Sequence, residues 1–316
     1  MTAMNDLGLM IPVTVIGGYL GAGKTTLINS LLAGDHGRRL AVLVNDFGEI
    51  NIDAGLITAH DGDTISLSNG CVCCTIADAL GTALDKVLGL TPPPDHIVIE
   101  ASGVANPAKI AMYGQGWPGL RLDGIITVVD GDSVQGRSTD KFVGTTVMQQ
   151  LAAAELLILN KVDLLSDQQR DDTRQWLEQN APQARIIETS KGRLPTEVLL
   201  GQHSNGKPIA DGTAQHGNFE AFTFRAERPL DRARLLALIA AWPAGVLRAK
   251  GLVFLGDDPD QRYILQLVGK RITLDRDATG DMTWTTSPPK SQIVVIGAGL
   301  DMAPDWLETS LATACL

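Results

Sequence analysis

At 316 residues the chain is long enough for two domains, and a hydrophobic content of 44% is that of a globular protein with a real core. Only 4% of the residues are aromatic and the formal net charge is −10, which argues against base stacking and against a phosphate backbone as the main partner. The first ten residues carry Asp6 but no Lys or Arg, unlike a secretory leader, and no apolar run is long enough to span a bilayer. The expectation is a soluble, cytoplasmic protein with neither nucleic acid nor membrane as partner.

From Val13 to about Glu188, short β-branched runs alternate with helix-length segments. The runs Val13–Ile16, Leu40–Val44, Ile97–Ile99, Ile125–Val129, Leu156–Leu159 and Arg185–Glu188 read as continuous apolar strands of a parallel sheet buried on both faces. In such sheets ligands bind at the carboxyl ends of the strands. Gly17, Asn45, Glu100, Asp130 and Asn160 each stand just past one of these runs, so the polar residues of interest are expected along one edge.

The segment Gly18-Tyr-Leu-Gly21-Ala22-Gly23-Lys24-Thr25, followed by Thr26, matches the G-x-x-x-x-G-K-[ST] pattern. Its glycines let backbone N–H groups turn toward phosphate oxygens, and a helix over Thr25–Leu32 adds its positive end. Lys24 is expected to reach the outer phosphates, with the Thr25 hydroxyl on Mg²⁺. Further on, Glu100-Ala-Ser-Gly103 closes a strand in the manner of a Walker B segment. There Glu100 would hold the magnesium shell or orient the attacking water, and the Gly103 N–H would sense the terminal phosphate; otherwise Glu100 simply caps the next helix.

Asn160-Lys161-Val-Asp163 resembles the guanine-specificity motif. A carboxylate at Asp163 accepts from N1–H and the exocyclic amine of guanine, a donor pair that adenine lacks, so GTP and GDP are expected over ATP. Lys161 would lie along the base and Asn160 would tie loops together. Thr189-Ser190-Lys191 reads equally well as an auxiliary base-binding loop or as an ordinary turn.

Three of the four cysteines, Cys71, Cys73 and Cys74, lie within four residues after Gly70. Thiolates at this spacing can converge on one tetrahedral ion and leave its fourth position to another group; the alternatives are buried thiols or a Cys73–Cys74 disulfide. Cys315 reads as incidental. The stretch 201–218 is polar, glycine-rich and without periodicity, so it reads as a linker between a domain at 1–200 and a smaller one at 219–316. Within the latter, strands are expected at Phe219–Phe224, Val246–Leu255, Tyr263–Val268 and Gln292–Ile296, with helices at Leu230–Trp242 and Ala303–Ala312. The fold class is thus α/β, a P-loop NTPase domain with a mainly parallel sheet, followed by a smaller α+β domain.

Taken in order, GGYLGAGKTTLIN, NDFGEINID, NGCVCC, IEASGVANP and NKVD resemble the CobW-like P-loop GTPases, a family of metallochaperones, and Val246–Gly251 is similar to that family's second domain. The resemblance covers the whole chain. It implies a slow GTPase activity that serves insertion of Zn²⁺, Co²⁺ or a related ion into a client metalloprotein or metal-cofactor enzyme; a homodimer is compatible with it. By the same resemblance, Asp46, Glu49 and Asp53 fall in a switch segment between the phosphate and metal sites. Glu49 is then a candidate metal ligand or, beside Lys24 and Glu100, a catalytic positioning residue. No His-rich tract accompanies the cysteines; His203 and His216, near the linker, read as solvated. Two rival readings are a metal-responsive module that uses GTP only as a structural ligand, and a P-loop kinase of a small metabolite.

Overall fold

The structure, a computed structural model, describes residues 10–34, 36–45, 64–67, 76–201, 219–277, 284, 288–298 and 304–316. It divides into two compact units, Ile11–Leu200 and one built on Gly201–Leu316.

In the first unit, apolar runs with no polar alternation become strands covered on both faces. They are β1 (Ile11–Gly17), β2 (Leu40–Asn45), β3 (Thr64–Leu67), β4 (His96–Glu100), β5 (Leu120–Asp130), β6 (Leu156–Asn160) and β7 (Arg185–Glu188). All five residues of β4 and of β6 are buried, as a parallel sheet with helices on both faces requires. The strand order is β3-β2-β4-β1-β5-β6-β7 and every pairing is parallel. Six of these seven strands are expected from sequence; β3 adds itself to the outer side of β2. Thr-Ile-Ser-Leu is too short, and too polar on alternate positions, to stand out as a buried run.

Helices α1 (Lys24–Leu32), α2 (Ile76–Leu88), α3 (Pro107–Gly116), α4 (Val134–Ser138), α5 (Gly144–Ala153), α6 (Asp167–Asn180) and α7 (Thr196–Leu200) connect the strands. Their starts follow local chemistry. Asn106 caps α3 by accepting from the Ala108 N–H at 3.0 Å with Pro107 next in line, and Ser166 with Gln169 forms a capping box on α6.

Register sets the site. Ile16 lies opposite Glu100, Gly17 opposite Thr127, and Asp130 opposite Asn160, so the polar strand ends fall at one edge. The chain steps from β1 outward to β2 and later recrosses to β5 on the other side of β1. That reversal opens a crevice at the carboxyl end of β1, the position at which ligands bind in open parallel sheets.

In the second unit β8 (Phe219–Ala226), β9 (Val246–Phe254), β10 (Arg262–Val268), β11 (Arg271–Arg276) and β12 (Ser291–Ala298) form an antiparallel sheet in the order β11-β10-β9-β12-β8. Helices α8 (Arg232–Ala240) and α9 (Pro304–Ala312) contribute Leu235, Ile239, Leu307 and Leu311 to a core shared with Phe224, Leu265, Ile293 and Val295. Two expectations need correction. β11 is a fifth strand, masked in sequence by its charged residues Arg271, Asp275 and Arg276. The helix expected from Leu230 starts two residues later, because Asp231 caps it by accepting from the Arg234 N–H at 2.8 Å while Leu230 bridges to Leu255. The linker stretch 202–218, with His203 and His216, lies outside the described residues. Among the described residues no helix is long and apolar enough to cross a membrane.

Candidate nucleotide site

The loop after β1 is shaped by what its glycines must avoid. Gly18 has φ 137° and Gly23 φ 105°, conformations that L side chains rarely adopt. A Cβ on Gly18 would strike the Val128 carbonyl, and one on Gly23 would strike the Asn160 amide nitrogen. Gly21, also at positive φ, is exposed with open space around it, while Ala22 is buried. The loop closes on itself through the Ala22 N–H to the Tyr19 carbonyl at 3.2 Å and then enters α1.

Lys24 opens α1 and is 5% exposed. Behind it the Thr25 hydroxyl donates to Glu100 Oε1 at 3.4 Å, and Glu100 is 2% exposed at the end of β4. A hydroxyl and a carboxylate brought together at a helix start form an all-oxygen pair suited to a small hard cation such as Mg²⁺. Thr26 is exposed on the next position. Past Glu100 the chain turns back over the loop. Leu20 packs so closely on Gly103 that a Cβ there would meet the Leu20 side chain and, at 2.9 Å, its backbone nitrogen. Gly103 is thus placed beside the phosphate loop, as its proposed sensing role requires.

The Asn160-Lys-Val-Asp segment lies on the other flank. The Asn160 amide donates to the Ala22 carbonyl at 2.9 Å, and its oxygen accepts from the Gly192 N–H at 3.2 Å. These two bonds link Asn160 to the phosphate loop and to the turn after β7. Lys161 adopts φ 63° and its ammonium pairs with Asp130 at 2.8 Å. Its stem, not its charge, is therefore what remains to flank a base. Asp163 is exposed in the short turn Val162–Leu164, with its carboxylate turned to solvent. Ser190 is half-buried and Lys191 is exposed at φ 58° beside Gly192, which sits against the backbone of Leu27.

Two residues of this neighbourhood are not evident from motifs. Gln150, 2% exposed on α5, donates its amide to the Gly103 carbonyl at 3.1 Å and to the Ala105 carbonyl at 3.0 Å. A polar residue on the buried Val147–Leu151 face of α5 is the sequence signal for it. Arg137 of α4 donates to the Leu20 carbonyl at 2.8 Å and lies over the Tyr19 ring; α4 has no motif to announce either contact.

The thiols Cys71, Cys73 and Cys74 and the carboxylates Asp46, Glu49 and Asp53 lie outside the described residues. The strands that flank them are described. Asn45 pairs with Leu67 and Val44 with Glu100, so β2 and β3 both end at the edge that carries Glu100. Among the described residues no group of three or more His, Cys, Asp or Glu is placed to hold a metal ion.

Residues 12–188 match the model of the CobW/HypB/UreG nucleotide-binding domain, and residues 219–315 match that of the cobalamin synthesis protein cobW C-terminal domain. The chain is 33% identical to the zinc chaperone CobW of Pseudomonas aeruginosa, over 96% of this chain and 92% of that protein. It is 32% identical to the zinc chaperone CobW of a Sinorhizobium species, over 91% and 92%. To the zinc-regulated GTPase metalloprotein activator 1 of Dictyostelium discoideum it is 28% identical, over 84% and 67%.

Proposed function

Because the chain belongs to the CobW family of P-loop proteins, we propose that it is a GTP-hydrolysing zinc metallochaperone. In this reading the Gly18–Thr25 loop binds GTP, and Cys71, Cys73 and Cys74 carry Zn²⁺ as cargo for a client protein. The observation that carries the nucleotide half is the hydrogen bond that Asn160 donates to the Ala22 carbonyl, which joins the base-reading turn to the phosphate loop. A nucleotide whose phosphates sit in the loop then presents its base to Asp163, whose exposed carboxylate accepts the two donors of guanine; adenine would leave it unpaired.

Lys24 supplies a buried positive charge to the outer phosphates, and the backbone N–H groups of Gly21, Gly23, Lys24 and Thr25 supply donors. Thr25 and Glu100 are the residues that would hold Mg²⁺. Bound there, the ion would neutralise charge that builds on the phosphate oxygens during transfer. Glu100 also orients water at the strand end, and Gly103, held against Leu20, offers its N–H to the terminal phosphate. Co²⁺ remains the second choice of cargo, since three thiolates suit several borderline ions and affinity order does not select among them.

Zinc and nucleotide are coupled in this reading through the ends of β2 and β3. β2 and β3, which precede Glu49 and the cysteines in the chain, end at the sheet edge that carries Glu100, and in this reading ordering of one site on the terminal phosphate reaches the other. The names of the relatives support zinc as cargo and GTP as the driver.

Phosphate release from GTP and from ATP, measured on zinc-loaded protein and on a Cys73→Ser variant, tests the proposal. Turnover confined to GTP, with zinc stoichiometry lost in the variant, supports it. Equal turnover of ATP would remove the base assignment, and unchanged zinc content would remove the thiolate site. No turnover at saturating zinc would leave a GTP-binding module in place of an enzyme.

A further inference from the structure

The phosphate loop is held from outside at two of its carbonyls. One is Ala22, held by Asn160. The other is Leu20, which accepts from Arg137 Nη1 at 2.8 Å. Arg137 belongs to the last turn of α4, and its guanidinium carbon also lies 5.1 Å from the centre of the Tyr19 ring. Two successive loop residues are therefore gripped by one planar cation, through a charge-assisted hydrogen bond and a cation–π contact. Among the described residues no carboxylate pairs with Arg137. That contrasts with Lys161, whose charge is taken up by Asp130.

In a planar trans peptide the C=O and the following N–H point in opposite directions. Fixing the Leu20 carbonyl toward α4 therefore turns the Gly21 N–H away from α4. Gly21 has open space on its own side, and with φ 75° it has no side chain to oppose a flip of that peptide. A loop residue so free needs an external brace if its N–H is to be ready for a phosphate.

We propose that Arg137 is a positioning residue of the phosphate loop: it pins the Leu20–Gly21 peptide so that the Gly21 N–H faces bound nucleotide, and it adds a positive charge to that site. The proposal rests on the reading that guanine nucleotides bind the Gly18–Thr25 loop. Arg137 touches neither of the predicted magnesium ligands and is not offered as a catalytic group. Its two contacts lie on residues that the G-x-x-x-x-G-K-[ST] pattern leaves unspecified, which makes this brace a property of this chain's Tyr19, Leu20 and Arg137.

The test is calorimetric titration of the full-length protein with GDP and with a non-hydrolysable GTP analogue, alongside thermal melts. Wild type, Lys24→Ala, Arg137→Ala and Arg137→Lys are compared. Arg137→Ala is expected to raise Kd for both nucleotides about tenfold, the value of one lost charge-assisted bond. Its Tm should stay within about 2 °C of wild type, since the side chain is partly exposed and fills no core position. Arg137→Lys should regain part of the affinity, because it keeps the charge and one donor but not the flat face over Tyr19.

Equal affinities in Arg137→Ala and wild type, with Lys24→Ala impaired, would overturn the brace and leave the nucleotide site standing. A loss that tracks a fall in Tm and is not regained by Lys would also overturn it, as a merely structural contact. If wild type binds neither nucleotide, the nucleotide reading fails and takes the brace with it.

Discussion

The amide of Asn160 reaches the Ala22 carbonyl at 2.9 Å, so the base-reading turn and the phosphate loop share a hydrogen bond. The same side chain accepts from the Gly192 N–H at 3.2 Å, and Asn160 is 2% exposed. Replacing it by Ala strands a buried carbonyl and a buried N–H, each worth about 1–3 kcal/mol when unsatisfied. Asn160→Ala is thus expected to lower unfolding stability by about 2 kcal/mol and to weaken GDP binding at least tenfold. Asn160→Asp keeps the acceptor for Gly192 but sets an oxygen against the Ala22 carbonyl, and should bind GDP no better than Ala. Urea unfolding and titration calorimetry check both.

Gln150 does for the turn after Glu100 what Asn160 does for the phosphate loop. Its two donated bonds, to Gly103 and Ala105, join the Ala105 N–H to Ser102 carbonyl bond at 3.0 Å in fixing this segment. Gln150→Leu, similar in volume, leaves both carbonyls unpaired in the interior. The expected result is a stability loss of about 2 kcal/mol and a slower GTP turnover. An unfolding midpoint equal to wild type would show that the two hydrogen bonds are not made in solution.

The sheet and the loop were legible because both are written in residue types with few alternatives. Continuous Val, Ile and Leu runs fit a strand buried on both faces, and Gly18 and Gly23 stand where a Cβ would strike Val128 or Asn160. The role of Asn160 was legible for the same reason. Gln150 and Arg137 were not, since their importance comes from long-range contacts, 47 and 117 residues away in sequence, that leave no local pattern. β3 and β11 escaped because short or charged edge strands gain little from burial, and burial is what a hydrophobic pattern reports. The thiolate site rests on spacing and on resemblance alone.

The contact between Leu20 and Gly103 makes a steric prediction with a built-in rescue. Gly103→Ala places a methyl group into the Leu20 side chain and pushes the two phosphate-facing segments apart. GTP turnover should fall at least tenfold with a modest change in stability of about 1–3 kcal/mol, the range for overpacking. Leu20→Ala removes the nearest colliding atoms but leaves the backbone nitrogen, so the double variant should recover part of the rate. A double variant no faster than Gly103→Ala would place the effect in backbone conformation instead of in the Leu20 contact.

In the second unit, Arg232 donates to Asp257 at 2.7 Å and also lies over the Tyr263 ring. The hydrogen bond from Arg232 holds the Asp257 carboxyl below its ordinary value of 3.8. A depressed carboxylate contributes stability that is present above its unfolded pKa and is lost as pH falls through the lower, folded one. The pair is well exposed, so the contribution is small, about 0.2–1 kcal/mol. Asp257→Asn should therefore lie slightly below wild type in urea midpoint near pH 6, and the gap should close as pH drops below 3.8. A gap that is constant or widens in acid would contradict the pairing.

The cysteines give the last prediction, which starts from Cys315. Burial raises the pKa of the Cys315 thiol above its ordinary value, with Arg228 opposing weakly, so at neutral pH it is a poor nucleophile. Cys71, Cys73 and Cys74, if they carry zinc, are protected only while the metal is bound. Chelation of the loaded protein should therefore release three rapidly alkylating thiols, while Cys315 stays slow with or without metal. Ligand thiols must lose protons to bind, so acid should speed that release. Coupling adds a second readout. If nucleotide state and zinc affinity influence each other, the chelation rate must differ between GDP and a non-hydrolysable GTP analogue, and zinc must shift the two nucleotide affinities by the same ratio as they shift its own. Equal release in both nucleotides would separate the two sites energetically and reduce the GTPase and the zinc carrier to neighbours on one sheet edge.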